Sequence, residues 1–155
     1  IIDKVGPLHN PADRDHCIQY MTACALIYGE LTPDHYTDAA AADPRIDALR
    51  ELMVVNENKR YSKDYLDPDK RSIANAVQVT FKDGSSTELV EVEYPIGHPR
   101  RREEAKPLLF DKLRENLASH YGADHVNELV ARFQDGEAIV STGVRALLGL
   151  FVVSE

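Results

Sequence analysis

The sequence has no tryptophan, two cysteines and two methionines. It also lacks any apolar run of the roughly 20 residues that a membrane-spanning helix requires. The longest uncharged stretch, Ile18 to Tyr28, is too short and reads as a buried helix. Cys17 and Cys24 stand seven residues apart in what reads as a single helix from Asn10 to Tyr28. That spacing is about 10 Å along a helix axis, beyond disulfide reach, so reduced thiols in a cytoplasmic protein are expected. A structural zinc site wants four Cys or His ligands at short spacing, and two distant thiols with six scattered histidines do not supply them. The thiolates of an iron–sulfur cluster are short as well. A glycine-rich phosphate loop and a Gly-x-Ser-x-Gly elbow are both missing, which removes support from nucleotide hydrolysis and serine-hydrolase chemistry. Neither a metal nor a cofactor is expected. Positive charge is in deficit, with 18 Lys+Arg against 26 Asp+Glu for a net charge of -8. Nucleic acid and membrane are therefore not expected partners.

What is present fits one globular α+β domain: 155 residues, 43% hydrophobic and 28% charged. The start, Ile1-Ile2-Asp3-Lys4, has no initiator Met and no signal-peptide character, and is expected to be a cut inside a longer protein. Ile1 to Val5 reads as the end of a strand. Asn10 suits a helix N-cap, Pro11 the first helical position, and Asp13 a return contact to the cap. Gly29 suits the C-terminal stop. On that helix Cys17, Ile18, Met21, Cys24, Ala25 and Tyr28 fall on an apolar face, opposite a polar stripe of Asp15, His16, Gln19 and Thr22. With no charge from Ile18 to Tyr28, the helix should be buried nearly all round, and its polar stripe should meet partners.

Thr32-Pro33-Asp34 starts a loop or short helix, and Asp43-Pro44 a second helix with Ile46, Leu49, Leu52 and Met53 at helical spacing. Asn56 to Lys70 is expected to hold an irregular strand and a long loop. The strongest local signal is a hairpin over about 72–94, turning at Lys82-Asp83-Gly84-Ser85, with Val90, Val92 and Tyr94 facing inward on the return strand. Several helices are expected to pack with this small antiparallel sheet. Their stripes are Leu109, Leu113 and Leu117; Val126, Leu129, Val130 and Phe133; and Val144, Leu147, Leu148 and Phe151, with Ser141 or Thr142 capping the last helix.

Two polar constellations carry potential chemistry. In the first, Arg14, Asp15, His16, Gln19 and Tyr20 share one helix, so that Asp15 or His16 can face the same cavity as Gln19. Imidazole beside carboxylate serves as acid or base near neutral pH, which makes His16 the catalytic candidate. The same residues have a purely structural account, with the acids balancing the helix N-terminus and His16 and Gln19 hydrogen-bonding in the core. The second constellation is His98-Pro99-Arg100-Arg101-Arg102, with Lys70-Arg71 as a neighbour. Guanidinium groups hold carboxylates or phosphates through paired charge-assisted bonds, although such a run also reads as a solvated turn. A carboxylate-binding or dimerisation module is the non-catalytic alternative.

Four stretches carry a family resemblance: Gly6-Pro7-Leu8, Asn10 through Tyr20, Asp67-Pro68-Asp69-Lys70-Arg71-Ser72-Ile73-Ala74-Asn75-Ala76, and Tyr94-Pro95-Ile96-Gly97-His98. Together they resemble the smaller C-terminal α+β domain of the MmgE/PrpD family, over most of the chain. The resemblance implies a hydro-lyase that converts 2-methylcitrate to 2-methyl-cis-aconitate in propionate catabolism without an iron–sulfur cluster. It also implies a large helical N-terminal domain of the same protein, a homodimer, and an active site in the cleft between the domains. Residues 1–155 would then be the lid, inactive alone, contacting a tricarboxylate through Arg14, Asp15, His16, Gln19, Tyr20, Arg71, His98 and Arg100. A cis-aconitate decarboxylase shares the architecture and remains a within-family alternative.

Overall fold

The computed structural model describes residues 2–152; Ile1, where the expected strand end begins, and residues 153–155 lie outside them. The chain forms two compact units, one ending at Asn58 and the other beginning at Lys59. Both are mostly helical, and the second holds the two-stranded antiparallel sheet, so the α+β class stands.

In the first unit, Asn10 caps α1 (Pro11–Arg14) by accepting from the Asp13 N–H at 2.9 Å. Asp13 returns contacts to the His9 N–H and the Asn10 side chain, each at 3.2 Å. The expected continuous helix breaks here. Cys17 is extended (φ -122°, ψ 108°), and α2 runs separately from Ile18 to Tyr28. The break lets the Ile18 N–H donate to the Ile2 carbonyl at 2.8 Å, fastening the preceding segment, which forms no strand among the described residues. Gly29 ends α2 in the left-handed region (φ 79°), as a glycine stop should. A 3₁₀ turn (Pro33–Tyr36), α3 (Asp38–Ala41) and α4 (Pro44–Arg50) complete the unit.

The core of this unit is Cys17, Tyr20, Ala23, Cys24 and Ile46, with Leu49 and Met53 packed at its margin. Each large apolar side chain buried this way contributes about 1.5–3 kcal/mol. Because α2 begins afresh after the break and packs on α4, its buried face is not the expected one. Ala25 and Leu26 are exposed, so the helix is not covered all round. Leu52, past the end of α4, is exposed too.

The second unit opens with α5 (Lys59–Leu66), a helix where a strand and loop were expected. Charged Arg60 and Asp64 at i, i+4 support it, at 4.0 Å. Strands β1 (Asn75–Val77) and β2 (Val90–Val92) pair antiparallel, with Ala76 opposite Glu91. Toward the tip the register slips by one. Thr87 bonds Val79 and Thr80 pairs with Ser86, so Glu88 and Leu89 together stand opposite Gln78 as a bulge. Gly84 (φ 86°) supplies the left-handed residue of the expected turn.

The hairpin's expected inward face is not inward among the described residues. Val77 is 43% exposed, Val90 63% and Val92 45%, because two short strands have nothing stacked over that side. A 3₁₀ turn (Pro99–Arg101) leads into α6 (Arg102–Ala118), followed by α7 (Ala123–Gln134), α8 (Gly136–Ser141) and α9 (Val144–Gly149). The second core joins Leu117, Val126, Leu129 and Val130, with Leu113, Leu150 and Phe151 against it. Of the three expected stripes the middle one is buried at Val126, Leu129 and Val130, with Phe133 half-buried. Leu109, Val144 and Leu148 are exposed. Of the last stripe Leu147 and Phe151 are half-buried; neither Ser141 nor Thr142 caps α9, and both hydroxyls donate back to the Ala138 carbonyl.

Candidate functional site

The first constellation separates into a buried part and a surface part. Arg14 lies inside, its side chain 5% exposed. Nη1 donates to the Tyr36 carbonyl and Nη2 to Asp38 Oδ1, both at 2.7 Å. Its Nε is buried without a partner. Gln19 is buried as well. Its amide nitrogen donates to Asp3 Oδ1 at 2.6 Å, and its oxygen accepts from the Lys4 N–H and the Cys17 thiol, each at 3.4 Å. Tyr20 donates to the His35 carbonyl at 2.6 Å. Burial pushes its phenol up to about 12, since removing a charge's water disfavours the anion. These three residues are tied to their own unit, as the structural account of the helix expected of Gln19.

Asp15 and His16 take the opposite place. They sit on the turn between α1 and α2, with His16 Nδ1 2.5 Å from Asp15 Oδ1 and both side chains about half exposed. Asp15 accepts from the ring's Nδ1–H, and Nε2 has no partner among the described residues. A carboxylate-oriented imidazole with one open nitrogen is the arrangement of a general base or acid.

The second constellation does assemble, inside the second unit. The loop after α5 turns on Asp67, whose carbonyl accepts from the Lys70 and Arg71 N–H groups. Arg71 follows in the left-handed region, φ 47°, the only non-glycine residue there among those described. Two bonds from the 3₁₀ turn hold this loop. His98 Nε2 lies 3.1 Å from the Arg71 carbonyl, and Arg100 Nη2 donates to the Asp69 carbonyl. His98 Nδ1 accepts from the Arg100 N–H at 3.2 Å, so its proton is on Nε2 and both nitrogens are used. Tyr94 lies under both: the His98 ring is centred 4.6 Å away and the Arg100 guanidinium sits 4.9 Å over its ring.

Most cations of this cluster are spent. Lys70 donates to the buried Asp64 at 2.8 Å, and that bond raises its ammonium pKa. Arg101 holds the Tyr94 carbonyl at 3.0 Å and pairs with Glu104 at 2.8 Å. The Arg71 guanidinium is exposed and has no hydrogen bond, ion pair or ring contact among the described residues. His98 and Arg100, expected to touch substrate, fasten the loop that carries Arg71.

Sequence reasoning missed Glu91 and Asp64. Glu91 accepts from Arg60 at 2.7 Å and from the Tyr61 hydroxyl, and those bonds hold its carboxyl below the usual range. Only the strand register brings Glu91 there; no local pattern signals it. Asp64 was foreshadowed by its spacing from Arg60. No cluster of three or more His, Cys, Asp or Glu fit for a metal occurs among the described residues, and no helix of theirs is long and apolar enough to cross a membrane.

The first unit thus carries a surface imidazole–carboxylate pair, and the second a latched loop with an unpaired guanidinium. A sequence model of the MmgE/PrpD C-terminal domain matches residues 1–135. The chain belongs to the MmgE/PrpD family. It is 51% identical over 98% of its length to the mitochondrial 2-methylcitrate dehydratase of Yarrowia lipolytica. It is 49% identical to the 2-methylcitrate dehydratase of Cupriavidus necator and 48% to that of Escherichia coli K12, in each case over 99% of its length. The chain spans only 29% of the first of these relatives and 32% of the other two.

Proposed function

We propose that this chain is the lid-forming domain of a longer hydro-lyase that dehydrates 2-methylcitrate to 2-methyl-cis-aconitate in the methylcitrate cycle of propionate breakdown. The observation that carries this reading is a likeness of 48–51% over nearly the whole chain to three relatives that bear the dehydratase name. Removing water from a hydroxy tricarboxylate asks for a base at the proton beside a carboxylate, an acid at the departing hydroxyl, and cations for the carboxylates. The Asp15–His16 pair supplies an oriented imidazole whose Nε2 takes or gives a proton. Arg71 supplies a guanidinium with no competing partner. Arg14, Gln19 and Tyr20 support the turn that carries His16.

The remaining groups belong to the large helical domain of the same protein, and the complete enzyme is a homodimer. Alone, the 155 residues turn over no substrate. The free, buried thiols of Cys17 and Cys24 support a reducing compartment. We place the enzyme in the cytoplasm; cell fractionation checks this, since one relative's name is mitochondrial.

The test follows the ultraviolet absorbance of the conjugated alkene after 2-methylcitrate, citrate or isocitrate is added to the longer protein and to the isolated chain. Where the native remainder is lacking, this chain replaces the matching segment of the Cupriavidus necator relative. Alkene formation from 2-methylcitrate by the longer protein, and none by the chain alone, is the expected result. A folded longer protein that leaves 2-methylcitrate unchanged refutes the reading, and cis-aconitate is then the substrate to offer.

A further inference from the structure

We infer that His98 is a positioning residue: by bonding the Arg71 carbonyl it keeps Arg71 in its left-handed conformation, with the guanidinium turned out to receive a carboxylate of a tricarboxylate ligand. The inference rests on the reading above for its ligand class and goes beyond it in assigning the roles.

A left-handed arginine is strained, because Cβ crowds the following carbonyl. Such a conformation persists only where its surroundings impose it. Here the imposing groups are visible. Asp67 fixes the Arg71 N–H at 2.8 Å from one side, and His98 Nε2 fixes its carbonyl at 3.1 Å from the other. Arg100 holds the same loop two residues earlier, at Asp69. His98 is in turn fixed by the Arg100 N–H on Nδ1 and by the Tyr94 ring. Lys70, Arg100 and Arg101 are already spent on carbonyls or carboxylates; Arg102 is exposed without a partner among the described residues, but no bond ties it to this loop. Arg71 is held at two backbone atoms while its side chain holds nothing. Ser72, the next residue, is buried and pins the loop end through its N–H to the Asp64 carbonyl. Backbone constraint beside an unpaired planar cation is what bidentate recognition of a carboxylate needs.

The two imidazole nitrogens allow a test that a merely stabilising histidine would not pass. Glutamine places an amide donor near the position of Nε2, whereas asparagine offers an acceptor near Nδ1 and no donor to Arg71. Glycine tolerates φ 47° without strain, so Arg71→Gly removes the guanidinium while leaving the loop at ease. The measurements use the longer protein, with KM and kcat for 2-methylcitrate and calorimetric Kd for tricarballylate, a tricarboxylate with no hydroxyl to eliminate. Arg71→Gly is expected to weaken both KM and Kd about tenfold or more, with kcat changed far less. His98→Asn should follow it, and His98→Gln should stay within about threefold of the parent. In the Arg71→Gly background, His98→Asn should cost nothing further, since the residue it positions is gone.

An Arg71→Gly protein that binds tricarballylate as the parent does overturns the inference. So does a His98→Asn effect that adds in full to that of Arg71→Gly. Loss of 2-methylcitrate turnover in the parent, with Arg71-dependent tricarballylate binding intact, would strike the dehydratase reading and leave this one standing.

Discussion

Replacing Tyr20 with phenylalanine isolates one hydroxyl in the first core. The ring keeps its place between Ile46 and the cysteines, so no cavity opens, and what disappears is the 2.6 Å bond to the His35 carbonyl. At neutral pH that loss should cost about 1–2 kcal/mol. The cost should then change with pH in a calculable way. Burial holds the folded phenol up to about 12, against an ordinary value near 10 in the unfolded chain. A raised acid pKa means that the fold favours the neutral form. Its contribution is therefore complete below about pH 10 and drains away as pH rises toward 12, at about 1.4 kcal/mol per unit. The phenylalanine protein has nothing to ionise at this position. Its deficit should shrink to roughly zero near pH 11 and reverse above it. Cys17 and Cys24 are the chain's only cysteines and both lie buried in this unit, so pulsed alkylation in urea reads its unfolding selectively. A deficit that stays constant or grows between neutral pH and pH 11 would refute the reasoning.

Arg14→Met should destabilise the first unit by about 3 kcal/mol, because it strips two 2.7 Å bonds and leaves the Tyr36 carbonyl without its donor; the same alkylation assay reports it. Leu129→Ala, at the centre of the second core, should cost about 2–5 kcal/mol and leave cysteine labelling in the first unit unchanged. Paired bonds from Arg45 and the Tyr28 hydroxyl hold the Asp43 carboxyl far below its usual range. That contribution is present above the ordinary carboxylate value and is lost as pH falls through the folded one. The stability difference between the parent and Asp43→Asn should therefore narrow on acidification in an acid melt.

The parts of the fold legible in the sequence were those written in short-range chemistry. Asn10 with Asp13, Gly29, Asp43 before Pro44 and the turn at Gly84 each act within a few residues, and each stands where it was expected. The break at Cys17 was not legible, because the bond that goes with it joins Ile18 to Ile2, sixteen residues earlier. The bulge at Glu88 and Leu89 likewise depends on how two strands meet. The hairpin over about 72–94 was located correctly and the cover of Val90 and Val92 misjudged, since a pattern states which side is apolar and not what lies over it. The candidate site divides in the same way. Sequence proximity grouped Arg14 to Tyr20 as one constellation, and burial split it in two. Arg71 and His98 are 27 residues apart; the sequence suggested them as neighbours, and only the structure shows which atoms join them.

The uncovered side of the hairpin has a colloidal consequence for anyone handling the chain by itself. Val77, Val90 and Val92 present a sticky strip to the solvent, and what keeps two such strips apart in dilute buffer is the mutual repulsion of molecules with a net charge of -8. That repulsion vanishes as the buffer approaches the isoelectric point near 5.2, and added salt weakens it at any pH. Clear solutions should therefore turn cloudy on mild acidification well before the helices melt, and a lysine placed at Val90 should keep them clear.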